Sequence, residues 1–386
     1  ENAGLTMRIE DWNTIDEAGR TVILARPDLP AGDIKERVAD IIAAVRSDGD
    51  SALRAFSREF DGTEINELRI SDAAINTAAE SCEAGLLDAM DSAISRIEAF
   101  HRTGIPQGSR LETAPGVVCE SRYLPISPVG LYIPGGSAPL ISTVTMLGVP
   151  ARLAGCEQVV LCTPPSANGD VDPAILAAAQ RCGINQVFMV GGAQAIAAMA
   201  YGTESIPKCA KIFGPGNAWV TEAKRQVAST PDGAAQDMPA GPSEVMVIAD
   251  DSADAEATCW DLLSQAEHGP DSQAILVSQN EDLLRAVFER IGEMASGLPR
   301  AEILSKSLSA LRLIRVPTLG DAVEISNRYA PEHLIINCEN ADQLAMDIRT
   351  AGSVFIGAWT PESLGDYCSG TNHVLPTYGY ARAYGG

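Results

Sequence analysis

From Pro128 onward the chain alternates short apolar runs with helical stretches, and this alternation restricts the fold more than any other feature. The runs "GLYI", "QVVLC", "QVFMV" and "KIF" are spaced by Leu140–Leu153, Pro173–Cys182 and Ala193–Ala200, and Asn217–Ala228 follows. A second round begins at "EVMVIAD" (244–250). It continues through Ala253–His268, "QAILVS", Glu281–Ser296, "RLIRV", Leu319–Tyr329, "HLIIN", Ala341–Thr350 and "SVFIG". Strands separated by helices at this spacing pair in parallel, because each helix carries the chain back across the sheet. The predicted class is α/β, with two doubly wound, incomplete Rossmann-like parallel-sheet domains. No residue-level repeat relates the two rounds.

The front of the chain is different. Residues 1–30 read as an arm ending in "ARPDLP". In "DIKERVADIIAAVRSDG", Ile34, Val38, Ile41, Ile42 and Val45 fall on one helical face, and Gly49 stops the helix. Amphipathic stretches Ser51–Phe60 and Ser71–His101 follow. The Pro- and Gly-rich "PDGAAQDMPAGPS" (231–243) is the expected boundary between the two rounds. The expected organisation is an arm (1–30), a nucleotide-binding α/β domain (130–242), and a discontinuous catalytic and metal domain. The last joins the helical section of 31–129 to the second α/β unit at 243–386.

Composition excludes some partners. A net charge of −23 and 46% hydrophobic residues describe a globular chain that would repel nucleic acid and anionic membrane. The nine cysteines (82, 119, 156, 162, 182, 209, 259, 338, 368) are scattered without a CxxC pair, so they read as buried small apolar residues in a reducing cytosol. The N-terminus lacks a basic and apolar leader, and the longest apolar run, near Val187–Gly202, is too short to span a bilayer. Met7 is a candidate native start.

Three glycine turns stand where a strand gives way to a helix: "YIPGGSAP" (132–139), "VGGAQAIAA" (190–198) and "FGPGNAWV" (213–220). Such turns let backbone N–H groups approach a phosphate, and open α/β sheets bind ligands at these strand ends. None matches GxGxxG, and helix capping by Asn217 explains the third turn equally well.

Four histidines are present. His101 ends a long helix, where the helix dipole favours a cation, and reads as structural or solvated. Gln265 and His268 share one face of a helix's last turn, with Gly269 and Pro270 ending it. They can hold a metal together with the loop carboxylate Asp366, or His268 can simply cap the helix. In "APEHL", Glu332 and His333 pair a carboxylate with an imidazole whose ordinary pKa of about 6.5 suits proton transfer near neutrality. An exposed Glu beside a packed His is the alternative.

Taken together, "GLYIPGGSAPL", "VGGAQAIAA", "KIFGPGNAWVTEAKRQV", "DMPAGPSEV", "DLLSQAEHGPDSQ", "APEHL" and "GDYCSGTNHVLPTYGY" resemble the histidinol dehydrogenase family. The resemblance runs the length of the chain and is densest after Pro128. It implies NAD-dependent, zinc-assisted oxidation of L-histidinol to L-histidine through the aldehyde, in the last steps of histidine biosynthesis, by a cytoplasmic homodimer. It implies Gln265, His268 and Asp366 as zinc ligands and Glu332 and His333 as the acid–base pair. Tyr132, Gln194 and Asn217 correspond to NAD contacts. Ser243, Gln265, His268, His333 and Asp366 correspond to substrate contacts, with His373 behind them.

The family pattern continues into a helical segment with a substrate-binding glutamate and a fourth zinc-ligating histidine, donated across the dimer. This sequence stops before it, at "YGYARAYGG", so an incomplete coordination sphere is expected among these residues. Three other readings fit individual motifs: a sister zinc and NAD dehydrogenase acting on another alcohol such as a sulfonated diol, a zinc hydrolase, and a non-catalytic nucleotide-binding module.

Overall fold

A computed structural model describes residues 8–27, 32–136, 139–166, 168–239 and 241–385. Met7, the end of the arm at 28–30, Ser137 and Ala138 of the first glycine turn, and Ala240 lie outside the described residues. The strands are β1 (Ile9–Asp11), β2 (Ser109–Ala114), β3 (Val117–Ser121), β4 (Val129–Tyr132), β5 (Val159–Thr163), β6 (Gln186–Met189), β7 (Lys211–Phe213), β8 (Ala235–Gln236), β9 (Glu244–Ala249), β10 (Gln273–Ser278), β11 (Arg312–Arg315), β12 (His333–Asn337) and β13 (Ser353–Ile356). Two compact units contain them. One comprises Glu1–Leu29, Met238–Gly365 and Leu375–Gly386, and the other Pro30–Asp237 and Asp366–Val374.

In the second of these units the sheet order is β6-β5-β4-β7-β8, with every pair parallel. Successive connections build outward from β4 through β5 to β6, then cross back so that β7 lies on the other side of β4. This reversal opens a crevice at the carboxyl ends of β4 and β7. Helix Gly192–Tyr201 packs here with Ala193 through Ala200 all buried, which its small side chains permit. β2 and β3 form a separate antiparallel hairpin, exposed along its length.

The other unit repeats the plan in the order β1-β11-β10-β9-β12-β13, again parallel throughout. Its central strands β9, β10 and β12 are covered on both faces. Val245 and Val247 of β9 point into one core and Met246 and Ile248 into the other. That two-sided burial makes parallel strands continuous apolar runs rather than alternating ones. At about 1.5–3 kcal/mol for each fully buried aliphatic side chain, these strands are the main source of cohesion.

The helical front section departs from expectation. It packs on the β4–β8 sheet: Val38, Ile42, Leu53, Ile75, Ile94 and their neighbours join the same core as Leu131, Leu161 and Val187. The stretch 71–101 is two helices, Asp72–Ser81 and Ala84–Arg102, because Cys82 and Glu83 are both extended. The helix expected over 341–350 ends at Ala345. The arm contributes β1, which joins the edge of its sheet beside β11. Five cysteines are buried as expected, whereas Cys119 and Cys368 are exposed. Burial lowers the pKa of His101, which favours the neutral ring over the cation expected at a helix end.

One buried ion pair shapes the end of β7. Lys224 donates to the Gly214 carbonyl at 2.9 Å and pairs with Asp237, which accepts the Gly214 N–H at 2.8 Å. Gly214 has φ +125°, and a Cβ there would run into the Tyr132 carbonyl oxygen. Lys224→Met leaves the Asp237 carboxylate buried without its cation, and chemical denaturation is expected to show a loss of about 3–5 kcal/mol. Lys224→Met with Asp237→Leu should recover part of it. Equal losses in the two variants would show that the pair does not act as a unit.

Candidate active site

The crevice at β4 and β7 contains a cavity of about 670 Å3, a size typical of small-molecule sites. Tyr132, at the end of β4, is buried, and its hydroxyl accepts the Gly192 N–H at 3.0 Å. Burial pushes this phenol up to about 12, so it remains neutral. Gln194 is buried in the first turn of helix Gly192–Tyr201. Asn217 caps helix Ala218–Ala228 by accepting from the N–H groups of Trp219 and Val220. All three line the cavity, together with Arg37, Asp61 and Trp219. Asn217 therefore caps a helix and faces a cavity at once, so the two readings of its glycine turn are compatible.

In the other unit the polar groups gather at the opposite end of the sheet. Glu244 is the first residue of β9 and His333 the first of β12, and these strands are neighbours. Glu332 precedes His333, and its carboxylate accepts the Glu244 N–H at 2.9 Å. His333 Nδ1 lies 3.1 Å from the Glu244 carbonyl oxygen and 3.7 Å from Glu332 Oε2. A carbonyl only accepts, so the first contact assigns the proton to Nδ1 and makes Nε2 the basic nitrogen. Burial pushes the Glu332 carboxyl up to about 8, against the opposing pull of His333.

Helix Ala255–Ala266 follows β9 and runs back across the sheet, bringing its last turn to this same amino end. Gln265 is buried there. With its amide nitrogen turned toward helix Glu362–Tyr367, it donates to both carboxylate oxygens of Glu362, at 2.6 and 2.7 Å. Ser264 also donates to Glu362, at 3.1 Å. Asp366 lies four residues after Glu362 in the same helix, hence on the same helical face. Potential ligand atoms of His333, Glu362 and Asp366 all lie within 4.8 Å of one another, and all three residues are buried.

Sequence reading thus named Glu332, His333, Gln265 and Asp366 but missed Glu362. Its spacing of four from Asp366 in "PESLGDY" was the available signal. Ser243 immediately precedes β9, and its carbonyl accepts the Gln273 N–H at 2.9 Å. His268 is exposed just beyond its helix and is not part of the three-residue cluster found among the described residues. His373 Nδ1 lies 3.1 Å from the Asp366 carbonyl oxygen.

Fold and side chains define an α/β enzyme with a ligand cavity at a sheet switch point and a buried acid–imidazole pair at a strand start. The histidinol dehydrogenase family model matches residues 24–386. A histidinol dehydrogenase of Xanthomonas campestris pv. campestris is 56% identical over 98% of this chain and 88% of its own. That of Salmonella typhimurium is 54% identical over 96% and 85%. The crystal structure of histidinol dehydrogenase from Elizabethkingia anophelis superposes with a TM-score of 0.93 at 44% identity, covering 100% of this chain and 88% of that one. The chain belongs to the histidinol dehydrogenase family, oxidoreductases of histidine biosynthesis.

The raised pKa of Glu332 has a measurable consequence. Between about 4.5 and about 8 the folded metal-free protein holds a proton that the unfolded chain has released, so stability falls as pH rises through this window. Glu332→Gln removes that dependence. In chelator, Tm of the variant relative to the native protein should rise from pH 5 to pH 8. A constant difference would contradict the assignment.

Proposed function

We propose that this enzyme oxidises L-histidinol to L-histidine through the aldehyde, with NAD⁺ as acceptor and a zinc ion assisting. The observation carrying this reading is the Glu332–His333 pair, buried and oriented by the main chain of Glu244 in a chain of this family. The sister dehydrogenase, the zinc hydrolase and the binding module have no comparable support.

The residues present fit both groups. Tyr132, Gln194 and Asn217 line a cavity of suitable volume and would hold NAD⁺ beside two helix amino termini. Gln265, His268 and Asp366 would hold zinc, with Glu362 positioning the Gln265 amide so that its oxygen remains for the ion. Three buried carboxyl groups, Glu332, Glu362 and Asp366, also favour a cation. When bound, NAD⁺ supplies the hydride acceptor for each of two oxidations, and zinc supplies polarisation and a grip on the substrate's imidazole and amine.

His333 Nε2 takes the hydroxyl proton as the alcohol carbon loses hydride, giving the aldehyde. Glu332 accepts a proton from water as the hydroxyl adds to that aldehyde, and protonated His333 returns its proton to the carbonyl oxygen, which forms the hydrate and leaves the imidazole neutral again. His333 then removes a hydrate proton as the second hydride leaves, and the carboxylic acid results. Ser243, with Gln265, His268, His333 and Asp366, would contact the substrate. The same reading makes the enzyme a cytoplasmic homodimer. No helix among the described residues is long and apolar enough to cross a membrane.

With full-length protein, zinc, NAD⁺ and L-histidinol, the expected yield is two NADH per histidinol. NADH formed only with another alcohol would overturn the substrate assignment. His333→Asn should lower kcat by about 10²–10⁴-fold with KM largely kept. It should also retain zinc, whereas Gln265→Ala and His268→Ala lose it on metal analysis. Zinc lost from His333→Asn would make His333 a ligand and not the base.

A further inference from the structure

Both groups of the acid–base pair are held by the main chain of one residue, Glu244, so what fixes Glu244 fixes the pair. Its side chain is fully buried at the start of β9. Arg26, from the N-terminal arm, meets this carboxylate with two parallel bonds, Nε to Oε1 at 2.5 Å and Nη2 to Oε2 at 2.9 Å. The Tyr378 N–H donates to Oε1 at 3.0 Å.

Arg26 reaches the other strand as well. Its Nη2 also donates to the carbonyls of Tyr329 and Ala330, at 2.9 and 3.4 Å, and its guanidinium lies 3.8 Å from the centre of the Tyr329 ring. Ala330 is in the left-handed region, with φ 57°, and leads through Pro331 into Glu332 and His333. One guanidinium therefore ties the carboxylate at the start of β9 to the turn that launches β12.

We infer that Arg26 is a positioning residue for this reaction: by bracing Glu244 against the Tyr329–Ala330 turn, it sets the aim of Glu332 and the tautomer of His333. The inference rests on the acid–base reading above. A buried ion pair is not needed for stability as such, because apolar residues of similar volume generally serve as well. The planar fork offers direction: it grips two segments at once in fixed geometry, which neither an apolar pair nor a lysine does.

The test compares Arg26→Met, Arg26→Lys, Arg26→Met with Glu244→Leu, and His333→Asn in the full-length protein. Imidazole ¹⁵N NMR reads the tautomer directly, and with four histidines in the sequence His333→Asn assigns its signal. The expected result is an Nδ1–H tautomer in the native protein and a mixture in Arg26→Met. The kcat of Arg26→Met should fall about 10–100-fold, with KM for L-histidinol within twofold. Added guanidinium should restore part of kcat in Arg26→Met and none in His333→Asn. The apolar double variant should fold stably yet remain slow.

Native tautomer and native kcat in a folded Arg26→Met would overturn the inference. If that variant does not fold, Arg26→Lys is judged by the same two readouts, and native values there overturn it equally. Native activity in His333→Asn would instead refute the acid–base reading, and the tautomer measurement would still decide whether Arg26 braces the strands.

Discussion

A parallel sheet covered by helices on both faces has nowhere to place polar chemistry except at its strand ends, and this constraint organises both units. In β4–β8 the ends used are the carboxyl termini, where the strand order reverses and the glycine turns open a cavity. In the second sheet they are the amino termini. Glu244 and His333 are the first residues of adjacent strands, and helix Ala255–Ala266 runs antiparallel to the sheet to deliver Gln265 to the same end. The register that pairs β9 with β12 therefore places Glu332 beside Glu244.

The two ends are stabilised by different means. Around the cavity, backbone geometry dominates: a helix cap at Asn217, a phenol–amide bond from Gly192 to Tyr132, and a glycine whose dihedral excludes a side chain. At the amino end, charge dominates. Glu244, Glu332, Glu362 and Asp366 are all buried, and Arg26 pairs with the first. Burial favours the neutral form of Glu332, and Gln265 and Ser264 donate to Glu362.

The legible part of the fold was the part buried on two sides. "QAILVS" and "HLIIN" coincide with β10 and β12 because a continuous apolar run bounded by polar residues has few other structures available. Elements lacking that signature went unseen. β1 is a three-residue edge strand of mixed character, and β2 and β3 are exposed along both strands, so neither carries a period. The break at Cys82–Glu83 contains neither Gly nor Pro, and the packing partner of the helical front section depends on contacts distant in sequence.

The site was legible through its motifs more than through its physics. Glu332 and His333 stood out because they adjoin one another before an apolar strand, and Gln265 with His268 because helical spacing aligns them. Arg26 and Glu244 carried no such mark, being 218 positions apart. An arginine in an arm and a glutamate opening an apolar strand each have ordinary local explanations. Only the tertiary fold shows that the glutamate is buried and that the arginine reaches two strand starts at once. Local patterns announce residues that act in pairs close in sequence. A brace between distant segments becomes visible only when burial asks each charge for its partner, and here that demand leads from the imidazole to the backbone of Glu244 and on to Arg26.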